Sequence, residues 1–186
     1  MDLPVVTYNR EEYIETATGN KVFKGPHICG TQNIVLTGKA IIQKDVILRG
    51  DLAAIRMGKF AIIRTGTTIR PCTRKFSKGV ALFPVHIGDH VMIEEQCLIS
   101  AAQICSFVHV GADSVIGNGA IIKECCRILP GSVVAPEAVF APFSTIAGNP
   151  AKWIGQEPEI TEMLMTEMTK QYYDNFIPAD SSRVIP

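Results

Sequence analysis

Aromatic residues make up only 7% of this chain, although hydrophobic residues make up 47%. Leucine is scarce as well, with 8 occurrences against 23 isoleucines and 15 valines. Helical bundles lean on leucine. A chain poor in it but rich in β-branched aliphatics, with 15 glycines and 11 prolines, points instead to short strands and many turns. Its apolar content excludes disorder. No charge of one sign prevails: Lys plus Arg and Asp plus Glu both total 18, which removes any electrostatic case for non-specific nucleic-acid or anionic-membrane binding. No apolar run approaches the roughly 18 residues that suggest a membrane span. The start, Met1-Asp2-Leu3-Pro4, lacks the basic and hydrophobic regions of a secretory signal. Six cysteines (Cys29, Cys72, Cys97, Cys105, Cys125, Cys126) form no C-x-x-C pair and no regular framework. The expectation is a reducing compartment, the cytosol. With 186 residues the chain suffices for one domain with a sizeable core.

What the sequence does hold is a repeat. Stepping by six from Ile104 gives Val110, Ile116, Ile122, Ile128, Val134, Phe140 and Ile146, all large and apolar. Four residues after each of the first seven lie Val108, Ser114, Ala120, Cys126, Ser132, Ala138 and Ser144, all small or β-branched. Upstream, Ile87, Ile93 and Ile99 run one residue out of phase, so one unit has five members. Ile28, Ile34, Ala40, Val46 and Leu52 keep the spacing, and Ile63 and Ile69 resume it in another phase. Three such units make one triangular coil of a parallel β-helix. Large residues then stack inward on their equivalents about 18 residues later, at roughly 4.8 Å. Gly88, Gly111, Gly117 and Gly131 fall beside the corners, where a side chain would crowd the bend or demand unfavourable φ. Eight consecutive positions at one period argue against an ordinary sandwich.

Two segments break the period. Residues 71–84 read as a loop leaving the solenoid, carrying Arg74, Lys75, Phe76 and Lys78. It is either a solvated insertion or a protein contact. After Pro158, Ile160, Leu164, Met168, Tyr172 and Phe176 recur every four residues, which predicts a helix of about 18 residues ending before Pro178. Packing back along its own solenoid is the expected use, because solenoid ends need covering. The resulting division is a cap at 1–27, a β-helix at 28–153 with the 71–84 loop, a helix at 154–178 and a loose tail at 179–186.

Catalytic chemistry is hard to assemble from what remains. Residues 34–69, with Arg49-Gly50-Asp51, and Pro84-Val85-His86-Ile87-Gly88-Asp89 resemble the γ-class carbonic anhydrases, which share the left-handed β-helix with many acyltransferases. That resemblance implies three metal-holding histidines. Their places fall at Arg70, Glu95 and Ser100, which cannot supply neutral imidazoles. No metal and no cofactor is expected. Arg49 and Asp51 remain as an ion pair or as interface residues. Stacking sets His90 beside Phe107 and His109 beside Met92, so no histidine lies over another. Cys126 falls at an inward small position and Cys125 outward; a buried thiol serving as a small hydrophobe is the default for Cys126. Glu94-Glu95 reads as an acidic corner suited to contact rather than acid–base catalysis.

A closer resemblance runs along nearly the whole chain, from about Tyr8 to Pro178, and its specific part lies outside the repeat. Tyr13-Ile14-Glu15-Thr16-Ala17-Thr18-Gly19-Asn20, Gln32-Asn33-Ile34 and Lys75-Phe76-Ser77-Lys78-Gly79-Val80-Ala81 are similar to the dynactin subunit 5 family, small subunits of the dynactin pointed end. The likeness runs on through His86-Ile87-Gly88-Asp89-His90-Val91, Ala101-Ala102-Gln103-Ile104 and Val108-His109-Val110-Gly111 to Met165, Tyr172, Tyr173 and Phe176. It implies a non-enzymatic subunit of the dynein activator. Expected partners are dynactin subunit 6, the actin-related protein, the zinc-containing large subunit and cargo adaptors. The expected location is cytoplasm and cytoskeleton, with the kinetochore as a further site. The contact candidates are Arg74, Lys75, Phe76, Lys78, Glu94 and Glu95. The rival readings are a γ-carbonic-anhydrase-like or acyltransferase enzyme and a stand-alone homotrimeric scaffold.

Overall fold

A computed structural model describes residues 2–179; the expected tail, Ala179 apart, lies outside the described residues. The chain folds as a left-handed β-helix of about six turns with one helix near its C-terminus. Strands of two or three residues suffice because each coil pairs with those before and after it, so backbone groups are satisfied coil to coil. Three sheets result, of nine, six and six strands, called sheets 1, 2 and 3 below.

Each sheet sends one aliphatic ladder into the bore. In sheet 1 the ladder is Val22, Ile42, Ile63, Ile93, Val110, Ile128 and Ile146. Sheet 2 stacks Ile28, Leu48, Ile69, Ile99, Ile116 and Val134. Sheet 3 stacks Leu36, Met57, Ile87, Ile104, Ile122 and Phe140. The fully buried members contribute about 1.5–3 kcal/mol each, while Val22, Ile28, Leu36 and Phe140, toward the ends of the ladders, are partly buried. The second half matches the expected phase. In the first half the phase needs correction: Ala40 and Val46 are the small corner members, and Ile42 and Leu48 the large ones. Leu52 lies in a turn rather than on a ladder. The extra residues between Ile28 and Leu36, where Thr31–Asn33 form a helical turn, cause the shift. A second insertion between Leu48 and Met57 takes Leu52 off the ladder, and Gly50 lets this turn pass over Gly30, where a Cβ would come within 2.8 Å of the Gly30 carbonyl oxygen.

The corners carry a second regularity. Lys39, Phe60, His90, Phe107, Cys125 and Phe143 all have positive φ, between 50° and 61°. None is β-branched, as the left-handed region requires. They stack along one corner beside sheet 1: Lys39 Nζ lies 5.3 Å from the Phe60 ring, Phe60 stacks on His90 at 5.0 Å, and His90 on Phe107 at 5.6 Å.

Outward from sheet 1, Ile41, Ile62 and Met92 form a second core with Met165, Tyr172 and Phe176 of the C-terminal segment and with Tyr8 and Tyr13. The helix Thr161–Asn175 therefore lies along the outside of sheet 1, as expected, though it is shorter than the 154–178 segment assigned to it. Ala151–Gln156 is a strand antiparallel to Ser144–Gly148 and closes the end of sheet 1. At the other end Tyr13–Glu15 pairs antiparallel with Lys21–Phe23, so the solenoid begins before residue 28. The chain after the helix pairs Phe176–Pro178 with Val6–Tyr8 and ties the two termini together. Lys21 Nζ donates to the carbonyls of Phe176 (2.6 Å) and Tyr173 (3.3 Å), satisfying the helix end.

Candidate functional site

Three places hold the residues singled out by sequence. The first is the acidic corner. Glu94 is engaged within the chain: its Oε2 accepts from Arg64 Nη1 at 2.6 Å, and its Oε1 pairs with His109 Nε2 at 2.8 Å. Glu95 takes the second guanidinium nitrogen of Arg64. The Arg64 guanidinium lies 5.7 Å from the Tyr172 ring, and Tyr172 is hydrogen-bonded to Gln43. The physical reason is burial. Arg64 sits between sheet 1 and the helix, and a cation losing water there needs carboxylates. Burial opposes its charged form, yet Tyr172, Glu94 and Glu95 outweigh that and hold Arg64 above its ordinary value. Conversely, the hydrogen bond from His109 holds Glu94 below the ordinary glutamate range, with Arg64 adding to this against desolvation. Sequence spacing shows none of this, since Arg64 lies one coil away across an interruption.

The second place is where the γ-carbonic-anhydrase resemblance sets a metal. Arg70 and Ser100 follow the paired Ile69 and Ile99 on adjacent coils of sheet 2, and the Arg70 amide donates to the Ile99 carbonyl at 2.8 Å. Glu95 stands at the preceding corner, bound to Arg64. Among the described residues no three His, Cys, Asp or Glu side chains converge as metal ligands. Arg49 and Asp51 form the expected ion pair at 2.9 Å.

Nucleophilic chemistry fares no better. His90 is held between the Phe60 and Phe107 rings, with Nδ1 2.7 Å from Thr169 Oγ1; burial lowers its pKa, with Lys170 adding to this and Asp89 opposing it. His86 is exposed on the flat outside of sheet 3. His109 and Cys126 both line a groove of about 430 Å³ between the helix and sheet 1, with Leu3, Arg127, Leu164 and Met168. They do not make a dyad: the Cys126 thiol donates to the Ala141 carbonyl at 3.1 Å, and burial pushes its pKa up to about 11. Cys125 is buried too, at a positive-φ corner, and its thiol is also raised by burial.

The third place is the 71–84 segment. It is not an irregular loop but a two-stranded antiparallel hairpin, Cys72–Phe76 against Gly79–Phe83. Phe76 is 55% and Val80 63% exposed, and they lie on opposite faces. The Arg74 guanidinium covers the Phe83 ring at 5.7 Å, and Lys75 and Lys78 are exposed. Asn118 anchors the hairpin to the solenoid: its Oδ1 accepts from the Thr73 amide at 2.8 Å and its Nδ2 donates to the Thr73 carbonyl at 2.7 Å.

A family model described as Dynactin subunit 5 matches residues 1–182. The chain belongs to the dynactin subunit 5 family. A Dynactin subunit 5 of Dictyostelium discoideum is 41% identical over 171 residues, covering 92% of this chain and 86% of that protein. Gamma carbonic anhydrase 2, mitochondrial, of Arabidopsis thaliana is 22% identical over 151 residues, covering 81% of this chain and 54% of that protein. The crystal structure of a hexapeptide transferase family protein from Anaplasma phagocytophilum gives a TM-score of 0.59 at 22% identity, covering 89% of this chain and 96% of that one. This last likeness shows the fold alone. For a member of the dynactin subunit 5 family, the matched length takes in the hairpin and the helix as well as the coils.

Proposed function

We propose that the chain is a non-enzymatic structural subunit of the dynactin pointed end, supporting dynein-driven transport and cargo-adaptor binding. In this reading it pairs with dynactin subunit 6, docks beside the actin-related protein and the zinc-containing large subunit, and works in the cytoplasm on the cytoskeleton, including the kinetochore. Family membership supports the assignment to dynactin. The observation that carries a contact role is the hairpin, which exposes apolar side chains on both faces beside Arg74, Lys75 and Lys78. An isolated two-stranded ribbon with bare apolar faces is marginal in water and gains stability when a partner covers it. Arg74, Lys75, Phe76 and Lys78 are thus the proposed contacts. Glu95, partly exposed, is a further one, while Glu94 is committed to Arg64 and His109 and contributes through the shape of the corner.

Reversing both lysines (Lys75→Glu with Lys78→Glu) should cut recovery of the other dynactin subunits with a tagged chain several-fold, at unchanged melting temperature. Unchanged recovery would remove the hairpin from the contact surface. Stoichiometric zinc with hydratase activity in the purified chain would replace this reading by a carbonic-anhydrase-like one.

A further inference from the structure

The two edges of the hairpin differ. Thr73 faces Leu82, Lys75 faces Val80 and Phe76 faces Gly79 across a turn of two residues, Ser77-Lys78. A turn of that length makes Phe76 and Gly79 a hydrogen-bonded pair. Antiparallel alternation then turns the N–H and C=O groups of Thr73 and Lys75 outward on one edge and those of Val80 and Leu82 outward on the other. The Asn118 contacts agree, since its amide meets the Thr73 N–H and C=O from outside the ribbon.

One edge is therefore blocked and charged. An amide side chain mimics a neighbouring strand at Thr73, and the remaining outward position carries Lys75, a residue type that deters edge pairing. The other edge has neither protection. Among the described residues, no group donates to or accepts from the main chain of Val80 or Leu82. The strand Gly79-Val80-Ala81-Leu82-Phe83 holds no charge, and Val80, Leu82 and Phe83 are exposed. An uncharged, apolar, unpaired edge is a template for another strand.

We propose that the outer edge of Gly79–Phe83 accepts an extended segment of a neighbouring dynactin subunit by strand addition, and that this segment carries aliphatic residues flanked by carboxylates. Main-chain bonds at Val80 and Leu82 supply affinity, and the two faces supply specificity. The flanking charge follows from composition: residues 70–84 contain Arg70, Arg74, Lys75 and Lys78 and no Asp or Glu. Glu137, in the cleft beside Arg74 and Lys75, offsets only one of these. The inference rests on the hairpin being a partner contact, as above.

Amide hydrogen exchange in purified dynactin tests it without any variant. Val80 and Leu82 should exchange at least tenfold more slowly in the complex than in the free full-length chain; equal rates would overturn strand addition. Independently, Val80→Pro removes an outward N–H that no hairpin bond uses, at an edge position where proline is tolerated. It should cut recovery of the other dynactin subunits about tenfold, while Val80→Thr should retain them. If Lys75→Glu with Lys78→Glu releases the subunits but Val80→Pro does not, the partner holds side chains and strand addition is wrong. If neither does, the hairpin contact itself fails. Should Val80→Pro lower the melting temperature, the exchange rates decide.

Discussion

At the scale of single residues, the Arg64 knot joins the solenoid to the helix, and its charges make stability depend on acid. Glu94 has a folded-state pKa below its ordinary value of 4.5, so the unfolded chain takes up the proton first. Its contribution is present above that ordinary value and is lost as pH falls through the depressed folded value. His90, lowered from 6.5 mainly by burial, adds an earlier step: stability is full above 6.5 and declines as pH falls below it, because the unfolded ring charges first. Urea unfolding followed against pH should show both declines. Glu94→Gln should be less stable at neutral pH and flatter below pH 4.5, and His90→Gln flatter just below 6.5. Unaltered slopes would contradict these assignments. The knot was not legible in the sequence for a geometric reason. Regular stacking by about 18 residues sets Glu94 over Phe76, whereas Ile93 actually pairs with Ile63 across the hairpin, which brings Glu94 to Arg64. Where no interruption intervenes, the same rule does place His90 on Phe107 and His109 on Met92.

At the scale of elements, the helix shows which side of a pattern is buried. A count by fours marks Ile160, Leu164, Met168, Tyr172 and Phe176; Tyr172 and Phe176 are buried, but ahead of them the buried set is Thr161, Met165 and Thr169. A hydrophobic count passes over two of these, because Thr169 is buried for its contacts with His90 and the Met165 carbonyl. Met165→Ala should cost about 2–5 kcal/mol. Leu164→Ala, at a 52%-exposed side chain, should stay within about 0.5 kcal/mol. Equal losses in thermal melts would mean that the helix presents another face to sheet 1. The hairpin was legible as an interruption but not as strands, since its alternation has no buried face to impose a pattern.

At the scale of the whole molecule, the shortage of aromatics and leucine has a structural cause. Three ladders of mostly isoleucine and valine fill a narrow bore, and most of the rings lie outside it, on one corner, on the hairpin and against the helix. The fold could be read from the period because each coil repeats one local rule. The site could not, because the hairpin and the knot arise where that rule is broken. A rod with a closing helix and an exposed two-faced ribbon suits a building block held among other subunits. The most direct test is affinity purification of the tagged chain from cytosol, with identification and sizing of what comes with it. The account predicts the other dynactin subunits in fixed proportion within one large assembly. Recovery of the chain alone as a trimer, carrying stoichiometric zinc, would contradict it.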